Sequence, residues 1–293
     1  MTYNLDHLTK SAQAIVNLTT RERINFVYEG AWINHAVVSD FRNTILSIAS
    51  LPQIAQAQCL LVSAAGGMGK STLCRRIEQD LEIWAKRRQC ANPSLAISLS
   101  QEATTASILD DICNAIGFSG AVNKKHNISP SISRMFKLRG VRFLLIDEIH
   151  HLLLANRNDQ RRSLALLKNI SGLPLSVSII GFGVEDAVNA ITGDLQLSRR
   201  FQIFELQHWK ASEDLRSFLA SYERCLPLKA PSHLHSKEIV TFLINNTLHT
   251  TRDIVKRISW GAIYALINGD EFITVEHLRE ASNFPNLTEL DDD

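Results

Sequence analysis

The stretch that most limits what this chain can become is Cys59-Leu60-Leu61-Val62-Ser63-Ala64-Ala65-Gly66-Gly67-Met68-Gly69-Lys70-Ser71-Thr72-Leu73. An apolar run long enough for a buried strand gives way to glycines, and Lys-Ser then opens a pattern with helical spacing. Small residues let backbone N–H groups curl around an anion, and a following helix turns the positive end of its dipole towards it. The segment predicts a strand, a phosphate-binding loop over Ala65, Gly66, Gly67, Met68 and Gly69, and a helix. In that loop Lys70 reaches the β- and γ-phosphates, the Ser71 hydroxyl holds Mg²⁺, and Thr72 closes the set of phosphate contacts. The usual pattern starts with Gly where this chain has Ala64, a change that costs little while φ there stays negative. The competing reading is a glycine-rich turn that binds nothing. The Gly-Lys-Ser ending and the strand before it speak against that.

A second stretch complements the first. In Val141-Arg142-Phe143-Leu144-Leu145-Ile146-Asp147-Glu148-Ile149-His150-His151, four consecutive apolar residues run into two acids. That is the pattern of a buried central strand with carboxylates at its C-terminal end, where open α/β sheets bind ligands. Asp147 is expected to accept from the Mg²⁺ shell, and Glu148 to orient and polarise an attacking water. Two acids beside a sheet are costly without a cation to meet, so a purely structural role is the weaker reading. His150-His151 lacks the His-Glu-x-x-His spacing and a third ligand, and no metal role is expected of it.

Around these two stretches strand and helix alternate. Residues 72–88, 106–116 and 159–171 have apolar positions at helical spacing, and residues 94–99, 175–183 and 201–206 read as strands. The fold class is therefore α/β, a parallel sheet between layers of helices. From residue 208 onward only helices are expected, over 212–225, 236–248, 251–268 and 274–282, with Pro227 and Pro231 marking a connector. At the other end, Thr19-Thr20 with Glu22 caps a helix, and residues 37–51 have helical spacing up to Pro52. The expected division is an N-terminal helical segment (1–52), a core (53–207), a helical lid (208–285) and an acidic tail (286–293). Trp32 and His35 are candidates for packing over a base, against the commoner reading that they are core. Residues 117–131 read as a polar loop, in which Lys124 and Lys125 could touch a phosphate backbone.

Composition bounds the rest. With 45% apolar residues in 293 the chain can bury a core, and 31 Lys plus Arg against 30 Asp plus Glu leave no global field to draw in nucleic acid. Any DNA contact must come from local patches. The five cysteines are scattered without a Cys-x-x-Cys pair, which predicts neither a disulfide framework nor a zinc site and fits a reducing, cytoplasmic setting. No leader and no membrane-spanning run is expected.

The order of Trp32-Ile33-x-His35, Gly69-Lys70-Ser71, Ile146-Asp147-Glu148-x-His150, Ile180-Gly181, Gln196-Leu197-Ser198-Arg199-Arg200-Phe201, Leu206-x-x-Trp209 and a late Ala262-x-x-x-Ala265-x-x-x-Gly269-x-x-x-Ile273-Thr274 resembles the TniB/TnsC group of AAA+ transposition ATPases. That resemblance implies an AAA+ P-loop NTPase core with a small C-terminal all-helical lid, and ATP and Mg²⁺ as cofactors. It also implies a homo-oligomeric ring or filament on double-stranded DNA, independent of sequence, that links a target-selector protein of TniQ type to a DDE transposase. Arg199 and Arg200, with Arg200 favoured, take the place of the arginine finger that reaches a neighbour's γ-phosphate. Two departures stand out. The family has a γ-phosphate-sensing Thr where this chain has Phe182, which cannot hydrogen-bond phosphate or water, so slow hydrolysis is expected. Thr250-Thr251-Arg252 looks instead like the sensor arginine of initiator-type AAA+ proteins. A replication initiator or helicase loader, and a slowly hydrolysing DNA-coating scaffold, are therefore the alternatives.

Overall fold

The computed structural model describes residues 4–101, 103–118 and 128–287; Lys124 and Lys125 lie outside them. In chain order the elements are α1 (Lys10–Ile15), α2 (Thr20–Glu29), α3 (Ala36–Ser50), β1 (Cys59–Ala64), α4 (Lys70–Arg87), β2 (Ser94–Ser98), α5 (Thr105–Ile116), α6 (Pro130–Leu138), β3 (Phe143–Asp147), a 3₁₀ turn (Ile149–Leu153), α7 (Arg157–Ser171), β4 (Ser178–Gly183), α8 (Glu185–Thr192), α9 (Leu195–Ser198), β5 (Phe201–Leu206), α10 (Glu213–Glu223), α11 (Lys237–Asn246), α12 (Thr251–Ile267) and α13 (Val275–Glu280). They form two compact units, one of residues 37–207 and one of residues 1–36 with 208–293.

In the first unit β1 to β5 form a parallel sheet in the order β2-β3-β4-β1-β5. The central strands β1 and β4 are buried at every position, as parallel strands covered by helices on both faces must be. One layer of core joins Leu61, Leu144, Ile146 and Ile179 to Ile108 and Ile112 of α5 and Leu166 and Ile170 of α7. Phe41 of α3 packs edge-on against Phe182 and Phe204, with ring centroids 6.1 and 5.0 Å away. Two arginines fasten α3. Arg142, at the foot of β3, donates to the carbonyls of Ala49 (2.7 Å) and Leu51 (2.6 Å), satisfying groups that a helix C-terminus leaves unpaired. Arg42 forks onto Asp80 of α4 at 2.6 and 2.9 Å.

The second unit is all helical. Ile24 and Val27 of α2 share a core with Leu215, Leu219, Ile254, Ile258 and Ala262. Arg23 is buried beside them, donating to the Pro227 carbonyl from Nε (2.9 Å) and to Glu271 from Nη1 (3.1 Å). Lys229 sits 2.9 Å from Glu271 as well. Burial works to raise the Glu271 pKa, but hydrogen bonds from Arg23 and Lys229 outweigh it and hold the carboxyl below its usual range. The first 36 residues are thereby stitched to a region more than 170 residues further on, while α3 belongs to the sheet unit.

Two helices fall where the sequence shows no periodicity. The six residues of α1 make less than two turns, too few for an apolar stripe to repeat, and Thr9 caps it by accepting from the Ala12 N–H. The other, α6, starts inside the segment expected to be loop. Ser129 caps it and Pro130 takes the first helical turn, a start signal that was present in the sequence.

Candidate functional site

The phosphate-loop candidate leaves the sheet from the C-terminal end of β1. Ala64 is still in the strand and is not among the non-glycine residues with positive φ, so the replacement of the usual Gly carries no backbone strain. The left-handed turns fall on Gly67 (φ 77°) and Gly69 (φ 86°), where a side chain would be strained. Gly69 is the N-cap of α4 and offers no side-chain acceptor, which leaves the first N–H groups of that helix facing the loop. A Cβ placed on Gly66 or Gly69 would meet nothing within 4 Å, so the loop's rim is open. Met68 is buried beneath it, and Ser71 and Thr72 are exposed on the first turn of α4. Lys70 is 7% exposed and folds back over the loop, its Nζ donating to the carbonyls of Ala64 and Ala65, each at 2.9 Å. Burial lowers its pKa, opposed by the carboxylates of Glu148 and Asp147, which couples the two stretches that the sequence singled out.

Asp147 closes β3, and its Oδ1 accepts the Glu148 N–H at 3.0 Å. Glu148 has φ 53°, a left-handed conformation that costs a side-chain-bearing residue about 1–2 kcal/mol. The 3₁₀ turn that follows lies against β4, and two glycines make room for it. A Cβ on Gly181 would come 2.7 Å from Ile149 Cδ1; one on Gly183 would come 2.9 Å from Ile149 Cγ2 and 3.0 Å from Ala187 Cβ. These close approaches account for the Ile180-Gly181-Phe182-Gly183 spacing, whose role the sequence alone did not disclose. His150 Nδ1 lies 3.2 Å from Glu148 Oε2, and His151 Nδ1 lies 2.8 Å from the Leu99 carbonyl. Burial lowers the His150 pKa, with the Glu148 carboxylate opposing it. Ser71 Oγ and the Asp147 carboxylate are hard oxygen donors of the kind Mg²⁺ takes. Phe182 is fully buried against Phe41 and presents no polar group at the end of β4.

Strand register separates the arginine pair from this loop. Cys59 aligns with Phe201 and Ala64 with Leu206, so Arg199 and Arg200 sit at the N-terminal end of β5, a strand length of roughly 17 Å from the loop end of β1. Arg200 is also engaged: its Nη1 donates to the Lys168 carbonyl (3.0 Å) and to Ser171 Oγ (2.8 Å), capping the C-terminus of α7. Arg199 is exposed. In the helical unit Arg252 is exposed in the first turn of α12, whose N-cap Thr250 accepts from the Asp253 N–H. Trp32 donates to Asn34 Oδ1 at 2.9 Å, and His35 meets Trp209 edge-on with centroids 5.4 Å apart. Trp209 is 8% exposed and donates to Thr251 Oγ1 at 2.9 Å. The Trp-Ile-x-His and Leu-x-x-Trp patterns thus meet at His35 and Trp209 within one helical core. Burial lowers the His35 pKa, opposed by Asp214.

A protein-family model described as "Bacterial TniB protein" matches residues 23–211. No curated protein sequence matches the chain. Among solved structures, it resembles the Aeropyrum pernix ORC2 protein in ADPNP-ADP complexes (14% identity, TM-score 0.58, 84% of this chain and 66% of that one). It also resembles the Aeropyrum pernix ORC1 protein in complex with DNA (15% identity, TM-score 0.59, 85% and 65%). Drosophila ORC bound to DNA is a third (14% identity, TM-score 0.58, 97% and 67%). At such identities the likeness is one of fold, and the chain spans about two thirds of the length of these structures. The parallel sheet and the helical unit are those of the AAA+ P-loop NTPase fold. No helix among the described residues is long and apolar enough to cross a membrane.

Proposed function

The chain belongs to the TniB family, and from that premise and its phosphate loop we propose that it is an ATP-hydrolysing AAA+ regulator of transposition. The observation that carries the ATP reading is Lys70: a nearly buried ammonium held by two loop carbonyls and coupled to Asp147 and Glu148. A phosphate at the open rim replaces those carbonyls as its partner, and the loop and α4 N–H groups take the remaining oxygens. Ser71 and Asp147 would hold Mg²⁺, which would supply charge neutralisation to the triphosphate. Glu148 orients and polarises the attacking water from its left-handed turn.

Arg199 and Arg200 lie a strand length from their own loop, so any γ-phosphate they meet belongs to another copy of the chain. Of the two, Arg199 is the exposed residue, and we assign the finger to it. The proposed assembly is a homo-oligomer on double-stranded DNA, held by phosphate contacts and joining a TniQ-type target selector to a DDE transposase. Two fold neighbours are described with DNA, which supports the DNA reading. The buried Phe182 favours a second reading, a nucleotide-stabilised DNA scaffold that barely turns over.

Turnover of Mg-ATP with and without duplex DNA tests both. An ATPase stimulated by DNA, and a Glu148→Gln variant that binds ATP normally while turning over at least tenfold more slowly, are expected. Unchanged turnover in Glu148→Gln removes the water-polarising assignment, and wild-type turnover at background with DNA present favours the scaffold.

A further inference from the structure

We propose that Glu148, His150 and His151 form a binding site for a transition-metal dication of the Zn²⁺ class, separate from the Mg²⁺ position at Ser71 and Asp147. Each of the three offers one ligand atom, and these atoms all lie within 4.8 Å of one another. The contact between Glu148 Oε2 and His150 Nδ1 is 3.2 Å. Two ligands about 2.0–2.1 Å from a tetrahedral zinc are themselves about 3.3 Å apart, so that edge already has the required length. His150 Nδ1 is buried and completes no well-directed hydrogen bond, so a metal would give it a partner.

The third ligand is prepared by its surroundings. His151 Nδ1 lies 2.8 Å from the Leu99 carbonyl, which fixes Nδ1 as the protonated nitrogen and leaves the lone pair on Nε2. A backbone carbonyl behind the ring is the usual outer support of a metal-binding histidine. The backbone is set as well: the 3₁₀ turn holding both histidines is pressed onto the two glycines of β4, and the left-handed Glu148 turns its carboxylate back towards them. Two imidazoles and one carboxylate suit zinc, cobalt or nickel and do not suit Mg²⁺, which takes oxygen and keeps its waters. Saturating Mg²⁺ therefore leaves this site open to a softer ion.

The consequence rests on the proposed role of Glu148. A Glu148 carboxylate bound to a metal is less basic and is held towards the two histidines, which weakens its hold on an attacking water, while Lys70, Ser71 and the loop N–H groups stay available. The metal should suppress turnover and spare nucleotide binding.

The test uses the full chain, freed of metal by a chelator and titrated with Co²⁺ and then Zn²⁺ in excess Mg²⁺. One Co²⁺ per chain with a visible absorption band, displaced by Zn²⁺, is expected. His150→Ala and His151→Ala should each weaken that binding by about 10–100-fold or more. Unaltered melting curves and ATP affinity show that these variants fold. A His233→Ala, His235→Ala double variant removes the exposed histidine pair of the helical unit, whose centroids are 6.1 Å apart, and should change nothing. Equal Co²⁺ affinity in His150→Ala and His151→Ala, or loss of binding in the His233/His235 variant, overturns the site. Zn²⁺ should inhibit wild-type turnover in proportion to occupancy and leave His151→Ala at its own metal-free rate. If the metal binds through His150 and His151 while turnover persists at full occupancy, Glu148 is not a ligand and the three-residue site is overturned, whatever the role of Glu148 in turnover. Glu148→Gln at background turnover, with the metal still absent, confirms that role independently.

Discussion

At the scale of single residues, the same environment that makes Lys70 useful makes it costly to replace. Its ammonium leaves two carbonyls to take phosphate, and charge-assisted bonds of this kind contribute about 1.5–3 kcal/mol each. Lys70→Ala should weaken ATP binding by about 30–150-fold, equivalent to about 2–3 kcal/mol, in a fluorescent-nucleotide titration. Unchanged affinity would contradict the loop assignment. His35 makes a prediction about pH. Burial puts its folded pKa below the ordinary 6.5, so between the two values the unfolded chain binds more protons and stability rises with pH. The contribution is complete above 6.5 and is lost as pH falls through that window. His35→Phe keeps a ring against Trp209 and should flatten the drop in melting temperature between about pH 8 and about pH 5. A slope as steep as that of the wild type would mean that other histidines carry the effect.

At the scale of elements, the position of Glu148 depends on β4 as much as on its own strand. The Gly183 contacts are with a branched methyl, a Cβ and, at 3.4 Å, the His150 backbone nitrogen, none of which can swing aside; the closest Gly181 contact is the mobile end of Ile149. Gly183→Ala should therefore cost about 1–3 kcal/mol by overpacking, more than Gly181→Ala, and should lower turnover more than ATP affinity. Equal effects on both would show that the glycines serve only the sheet. Much at this scale was legible. The strand 201–206 and the helices from 208 onward lie close to where apolar period and capping residues put them, and Thr19 with Glu22 forms the capping box. The misses are α1, too short to have a period, α6, where a polar stretch beforehand hid a Ser-Pro start, and the short α8 and α9, over which no helix was expected.

At the scale of the whole molecule, the arginine pair separates an oligomeric ATPase from a self-contained one. Arg200 caps α7, so Arg200→Ala should lower stability by about 1 kcal/mol, whereas Arg199→Ala should leave the fold and single-chain ATP affinity intact and abolish turnover. Mixing Arg199→Ala with Lys70→Ala tests the shared site, because each lacks a different half and mixed interfaces should regain activity. A mixture that co-assembles and stays inactive would return Arg199 to the surface. The sequence favours Arg200 because it stands next to Phe201; only the packed structure shows its guanidinium committed to the Lys168 carbonyl and Ser171.

What the sequence determined by itself is local chemistry in fixed spacing: a strand, glycines and Lys-Ser, then a second strand ending in Asp-Glu. Backbone conformation and apolar period act over a few residues, and a linear string expresses both directly. The tertiary structure decided which distant segments meet. It sent α2 to the later helices and α3 to the sheet, set Gly183 under the turn of Glu148, brought His35 to Trp209, and gathered Glu148, His150 and His151 into one cluster. Such contacts follow from burying one apolar surface against another far along the chain, and no short window of residues contains that complementarity.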